Sequence, residues 1–225
     1  MIVRDLWVRH GRFVALEAVN GRFAPGSLTA VAGPNGAGKS TLLDALAGLA
    51  RPWRGTIDCQ ARAENRLAYL PQQAALNLDF PMTVEELTAL GLWRRFGAFR
   101  ALPEPASAQV AAALAAVGLT GLRRRQINQL SIGQRRRAFF ARLLLEDAAV
   151  LLLDEPFAAV DASTVSVLIS MIARWHQEGR TVIAVMHDLD QIRAHFPSTL
   201  LLARTAIAWG DTASVLTPDN LALAR

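Results

Sequence analysis

Two hydrophobic rhythms divide this chain: short apolar runs bounded by turn residues, and longer stretches whose apolar positions recur at helical spacing. Residues 2–8 and 14–23 have β character, and Pro25-Gly26 turns the chain into a short apolar strand at 28–32. A helix is predicted from about residue 39 to 46, then two short strands at 56–59 and 67–70, the second ended by Pro71. From about 81 to 147 the pattern is mainly helical. Thr83 and Glu86 stand at capping-box spacing, which marks a helix start. Val110, Leu114 and Val117 fall at i, i+4 and i+7 of an alanine-rich helix that stops at Gly118. Residues 150–153 return to an apolar strand. Val165, Leu168, Ile169, Ile172 and Trp175 make the apolar stripe of a helix ending at Gly179, and a strand at 181–186 and a short helix after His187 follow. No internal repeat or low-complexity linker interrupts the series. The alternation predicts one α/β domain over 1–225: an N-terminal antiparallel β region, a parallel core, and a helical subdomain inserted at about 81–147.

Composition narrows the picture. The chain is 52% apolar over 225 residues, ample for one large core. No uninterrupted apolar stretch approaches the roughly 18 residues of a membrane span. Met1-Ile2-Val3-Arg4-Asp5 lacks the charged-then-apolar order of a secretory signal, so the chain reads as cytosolic. Cys59, the only cysteine, can neither close an intramolecular disulfide nor make a metal site alone; it reads as a small strand residue. The formal charge of +5 gathers at Arg94-Arg95, Arg123-Arg124-Arg125 and Arg135-Arg136-Arg137. Such clusters suit a nucleic-acid or anionic-membrane surface. No recognition-helix or RNA-stacking motif accompanies them, so solvated helix faces and loop ends are the preferred reading, and nucleic acid is not the expected partner.

The chemistry begins at Lys39, the sole lysine, inside Gly33-Pro34-Asn35-Gly36-Ala37-Gly38-Lys39-Ser40-Thr41. The window fits G-x-x-x-x-G-K-[ST], a phosphate-binding loop. Its glycines let successive backbone N–H groups turn around a β-phosphate, and the following helix offers its positive N-terminal end to the same charge. Lys39 is a compact ammonium able to reach between β- and γ-phosphates, where a planar guanidinium has the wrong shape. The Ser40 hydroxyl can sit on Mg²⁺, and Thr41 continues the helix. Downstream, the apolar run Val150-Leu151-Leu152-Leu153 ends in Asp154-Glu155. Asp154 can hold a carboxylate near Mg²⁺, directly or through water, while Glu155 points elsewhere and is the candidate to orient an attacking water.

Leu130-Ser131-Ile132-Gly133-Gln134, ahead of an arginine-rich helix, resembles the Leu-Ser-Gly-Gly-Gln signature of ABC ATPases, and the Asp154-Glu155 strand resembles their Walker B strand. The resemblance then covers nearly the whole chain. Tyr69-Leu70-Pro71-Gln72 looks like the family's Q-loop, Ala158-Ala159-Val160-Asp161 like its D-loop, and His187 stands at the place of its switch histidine. It implies a P-loop NTPase core of ABC ATPase type that binds ATP and Mg²⁺. Gln72 would accept from water or contact Mg²⁺, with Gln73 a weaker candidate; His187 would donate to a γ-phosphate oxygen. It further implies a head-to-tail pair of subunits, in which Ser131, Gly133 and the helix after them face the γ-phosphate held by the other copy. A separate integral membrane permease, and indirectly an extracytoplasmic solute-binding protein, would complete the machine at the cytoplasmic face of the inner or plasma membrane.

Two positions depart from the family pattern. Ile132 replaces the first signature glycine, which strains the turn if φ > 0 is needed there. His10, before Gly11, stands where an aromatic residue usually stacks on adenine; Trp7 and Phe13 are neighbours that could substitute. A finer resemblance, to manganese, zinc and iron importer ATPases, rests on Asp79-Phe80-Pro81-Met82-Thr83-Val84, Gly97-Ala98-Phe99-Arg100, Gln126-Ile127, His187-Asp188-Leu189-Asp190 and the 215–221 tail. It implies a transition-metal cargo, manganese and zinc ahead of iron, that this subunit does not itself touch. Leu92-Trp93-Arg94-Arg95-Phe96 mixes aromatics with arginine, a composition that suits docking to a membrane partner or ordinary packing within the insertion.

Overall fold

A computed structural model describes residues 1–72, 81–96 and 103–224. In chain order the strands are β1 Ile2–His10, β2 Phe13–Arg22, β3 Leu28–Ala32, β4 Arg54–Asp58, β5 Leu67–Leu70, β6 Val150–Asp154, β7 Thr181–Val185, β8 Ser198–Ala203 and β9 Thr205–Asp211. The helices are α1 Lys39–Ala47, α2 Gln60–Ala63, α3 Val84–Ala89, α4 Trp93–Phe96, α5 Glu104–Ala116, α6 Ile132–Leu145, α7 Ala162–Gln177, α8 Leu189–His195, α9 Thr212–Val215 and α10 Pro218–Leu223. No helix among the described residues is long and apolar enough to cross a membrane. They form two compact units, Met1–Gln72 with Ala148–Pro156 and Ile172–Arg225, and Gln73–Asp147 with Phe157–Met171. The second unit thus takes in residues 157–171 besides the expected insertion.

The first unit holds two sheets. The larger runs β5-β6-β7-β3-β8-β9 and is parallel except for β9. Every residue of β3, β6 and β7 is buried, which is why these segments read as near-continuous apolar runs: a parallel strand covered on both faces has no solvent side to make polar. The smaller sheet, β2-β1-β4, is antiparallel. Its inward residues Val3, Leu6, Val8, Leu16 and Val19 share one core with Leu42, Leu43 and Leu46 of α1 and with Val31, Ile183, Val185, Leu200 and Leu202 of the larger sheet. Burying each such side chain is worth about 1.5–3 kcal/mol. The β1–β2 register shifts where Asp5 (φ 45°) and Ala18 (φ 48°) take left-handed conformations, so strict alternation breaks there.

The second unit is helical. α3 begins at Thr83, whose hydroxyl accepts from the Glu86 amide while Glu86 accepts from the Thr83 amide, the capping box expected from the spacing. Val110 and Leu114 are buried on α5 and Val117 ends it, before Gly118 at φ 66°. The arginine clusters divide. Arg94, Arg95, Arg124 and Arg125 are exposed, and exposed Arg123 pairs with Glu85 at 3.2 Å. On α6, however, Arg136 is only 2% exposed and Arg137 donates to the Val117 carbonyl at 3.1 Å, so this cluster is structural rather than a solvated face. Leu92 is buried and Trp93 is half-exposed. Gln73, Asp79, Phe80 and the Gly97–Arg100 segment lie outside the described residues.

Candidate active site

The phosphate loop joins the buried end of β3 to α1. Gly38 caps α1 at φ 90° with no side chain to satisfy the first amides, and a Cβ there would lie 2.4 Å from the Ala15 carbonyl oxygen. A Cβ on Gly33 would lie 2.0 Å from the Leu202 carbonyl oxygen. Backbone packing therefore demands glycine at both places, and the helix end stays open for an anion. Lys39 is 6% exposed, and its Nζ donates to the Gly33 and Pro34 carbonyls at 2.9 and 2.8 Å. Burial pushes its pKa down, opposed by the Glu155 and Asp154 carboxylates.

Parallel pairing of β6 with β7 sets the acidic end of one strand beside the loop that leaves the other. Asp154 is 1% exposed at the end of β6. Burial raises its pKa above the ordinary value, although the Ser40 hydroxyl donates to it and Lys39 pulls the other way. Its Oδ1 is buried without a hydrogen-bond partner. A hard cation takes carboxylate, hydroxyl and amide oxygens. The unsatisfied Asp154 oxygen, the Ser40 hydroxyl and the Gln72 amide fit Mg²⁺ on those terms. Among the described residues no cluster of three or more His, Cys, Asp or Glu side chains could hold a metal ion.

Glu155 adopts φ 48°, which turns its side chain away from the line of β6. Its Oε1 lies 2.7 Å from His187 Nε2, and Gln72 also donates to it. Burial alone would raise the Glu155 pKa; the His187 hydrogen bond and charge, Gln72 and Lys39 together outweigh it and hold the carboxyl below the usual range. An ionised carboxylate accepts, so His187 Nε2 is the donor in this bond. The sequence predicts that His187 donates to a γ-phosphate oxygen; its Nε2 faces Glu155 in this structure.

A cavity of about 650 Å³, lined by the loop residues 35–41 with Gln72, Glu155 and His187, brings these groups together. His10, Phe13 and Ala15 complete its wall. Trp7 is engaged elsewhere: its ring meets Trp53 edge-on at 6.2 Å and its Nε1 donates to Asp5.

In the second unit Ser131 caps α6. Its Oγ accepts from the Gln134 amide at 3.2 Å, and its own amide donates to Gln134 Oε1 at 3.0 Å. Ser-x-x-Gln is therefore a second capping box, legible from spacing but hidden behind the motif reading. Ile132 is the first residue of α6, has no positive φ, and is 39% exposed; the feared strain is absent. Gly133 is buried, with the Asp161 carboxylate and Thr164 hydroxyl each 3.4 Å from where its Cβ would be. Asp161 accepts from the Ser163 hydroxyl and from the Thr164 amide and hydroxyl, which hold its pKa well below the carboxylate range.

Known proteins resemble this chain. The family described as ABC transporter matches residues 16–158. A relative named manganese transport system ATP-binding protein MntB, from Halalkalibacterium halodurans, is 35% identical over 224 residues, covering 98% of this chain and 89% of its own. The protein of the same name from Bacillus subtilis is 37% identical over 222 residues, covering 96% and 88%. Among solved structures, an ABC transporter in an inward-facing conformation superposes with a TM-score of 0.85 at 29% identity, covering 99% of this chain and 87% of that one. A dimeric ABC transporter cassette, MJ0796, shares the fold with a TM-score of 0.80 at 24% identity, covering 94% and 98%.

Proposed function

The chain belongs to the ABC transporter family, and on that premise we propose that this ATPase subunit drives a separate integral membrane permease importing a transition-metal ion, manganese or zinc ahead of iron. The observation that carries the catalytic reading is the convergence of Lys39, Asp154, Glu155, His187 and Gln72 around one glycine-built phosphate loop. The cargo rests on full-length relatives whose names specify manganese transport. The chain acts as one ATPase domain with its inserted helical subdomain, peripheral to the cytoplasmic face of the inner or plasma membrane. An extracytoplasmic binding protein delivers cargo to the permease and does not meet this subunit.

Hydrolysis transfers the γ-phosphoryl of ATP to water. The α1 amides and Lys39 hold the phosphates, and Lys39 balances charge that grows on the β–γ bridging oxygen as that bond breaks. Ser40, Asp154 and Gln72 would hold Mg²⁺, which when bound neutralises charge on the β- and γ-phosphate oxygens. Glu155 accepts a hydrogen bond from the attacking water and aims its lone pair in line. His187 keeps that carboxylate oriented and ionised. In a head-to-tail pair, the Ser131 hydroxyl has one lone pair occupied by the cap and directs its proton to the γ-phosphate on the other subunit, beside the Gly133 amide. Asp161 fixes the segment packed against Gly133.

The test is uptake. Cells lacking the gene and grown under metal limitation should lose manganese or zinc accumulation, restored by the wild-type chain and not by a Lys39 variant. Unchanged uptake of manganese, zinc and iron, without a redundant importer, would remove the cargo assignment and leave the ATPase reading standing.

A further inference from the structure

Asp44 follows Ser40 by four residues on α1, so the two side chains lie on one face of the helix, a turn apart. Ser40 donates to Asp154 at the end of β6. A second contact lies behind that one. The hydroxyl of Tyr69, the only tyrosine in the chain, donates to Asp44 Oδ1 at 2.8 Å. Tyr69 is on β5, paired in register with Leu152 of β6, so its ring shares a sheet face with Leu152 and with Asp154 two residues on. That ring packs against the core to which Leu42, Leu46 and Leu152 belong. Phenylalanine would fill the same space and bring no hydroxyl to desolvate, since a buried phenol is favourable only when its O–H finds a partner. The hydroxyl is therefore an addition to the packing, and Asp44 is its target. Burial first, then the Asp44 hydrogen bond and the charges of Asp44 and Asp154, hold the Tyr69 pKa far above its usual range, so the group stays a donor.

Gln72 comes three residues after Tyr69, past Leu70 and the stiff Pro71; it donates to Glu155 and carries the amide oxygen assigned to Mg²⁺. The groups that would hold the cation thus come from three elements: Ser40 from α1, Asp154 from β6 and Gln72 from beyond the end of β5. The parallel ladder joins β5 to β6, and the Ser40–Asp154 bond joins β6 to α1. The Tyr69–Asp44 bond closes the third side, between α1 and β5. We propose that Tyr69 and Asp44 are a positioning pair for the divalent cation of the bound nucleotide, setting Ser40 and Gln72 at their places on either side of Asp154. This rests on the ATP-binding reading and adds a layer of support behind its cation ligands.

The experiment is titration of the full-length chain with ATP in excess Mg²⁺ and, separately, with ATP in EDTA, alongside thermal melting and the Mg²⁺ dependence of the ATPase rate. Tyr69→Phe should weaken MgATP about tenfold, the low end of what is lost when groups supporting metal ligands are removed, and leave metal-free ATP within about twofold. The Mg²⁺ concentration for half-maximal turnover should rise by a similar factor. Asp44→Ala should reproduce Tyr69→Phe, and the double variant should be no worse than either alone. Asp44→Asn, which keeps an oxygen acceptor in the same place, should recover most of the loss. Equal weakening of ATP with and without Mg²⁺, a lowered melting temperature with an unmoved Mg²⁺ requirement, an additive double variant, or an Asp44→Asn as impaired as Asp44→Ala would each overturn the inference while the ATP site stood. Failure of the unaltered chain to bind ATP would overturn both.

Discussion

The first turns of α1 and α6 are both helix N-termini preceding an assigned phosphate contact, and their sequences finish them in opposite ways. Gly38 leaves the α1 amides without a side-chain partner. Ser131 and Gln134 close α6 upon itself through the Ser131 hydroxyl and the Gln134 side chain. An uncapped helix end retains its orphan donors and partial positive charge and can hold phosphate by backbone alone. A capped end has given part of that away; what it can present is a fixed hydroxyl and the amides of Ile132 and Gly133. On the proposed function, the difference separates a loop that holds ATP from a helix end that adds one oriented contact to a γ-phosphate held by another copy.

The largest effect expected from this contrast is at Lys39. Lys39→Arg should cost about 2–4 kcal/mol in the barrier, abolishing measurable turnover while circular dichroism stays native. Near-normal MgATPase activity would remove the phosphate role and erase the distinction between the two helix ends.

Next is His187. Removing it leaves burial as the main influence on Glu155, so the carboxyl pKa rises. Because Glu155 must be ionised to orient water, the acid limb of kcat/KM against pH should move to higher pH in His187→Ala. The linked stability follows the same sign: in the wild type the depressed pKa stabilises the fold above the unfolded carboxyl value and is lost as pH falls through the folded one. A simple drop in rate with an unmoved acid limb would show that His187 does not act through Glu155.

Smaller effects sharpen the description of α6. Gln134→Ala should cost about 1 kcal/mol of helix stability and lower turnover several-fold by loosening Ser131, whereas Ser131→Ala loses both cap and hydroxyl and should be worse. Ile132→Gly, which restores the family residue, should change the rate less than about twofold, since the backbone there is helical already. A large gain from the glycine would mean that Ile132 obstructs the site.

Much of this architecture is legible in the sequence because burial leaves a pattern. β3, β6 and β7 are covered on both faces and so read as near-continuous apolar runs, and the Thr83–Glu86 cap announces α3. The β8–β9 hairpin is not anticipated. Every residue of β9 before Asp211 is half-buried, which blurs the alternation, and its turn uses Arg204 rather than the glycine or asparagine that would signal it. The site divides likewise. Lys39, Ser40, Asp154 and Glu155 announce themselves by local spacing. The bond between His187 and Glu155 joins residues 32 apart and follows from parallel strand pairing, which no local pattern reports.

The most direct test uses Glu155→Gln with MgATP on a size-exclusion column, together with a single-turnover assay. Glutamine keeps the shape of the side chain but cannot accept the proton of the attacking water as a carboxylate does. The variant should bind ATP, fail to hydrolyse it, and elute as a dimer only when MgATP is present. A chain that stayed monomeric and hydrolysed ATP at the wild-type rate would contradict both the role of Glu155 and the pairing of phosphate loop with signature helix.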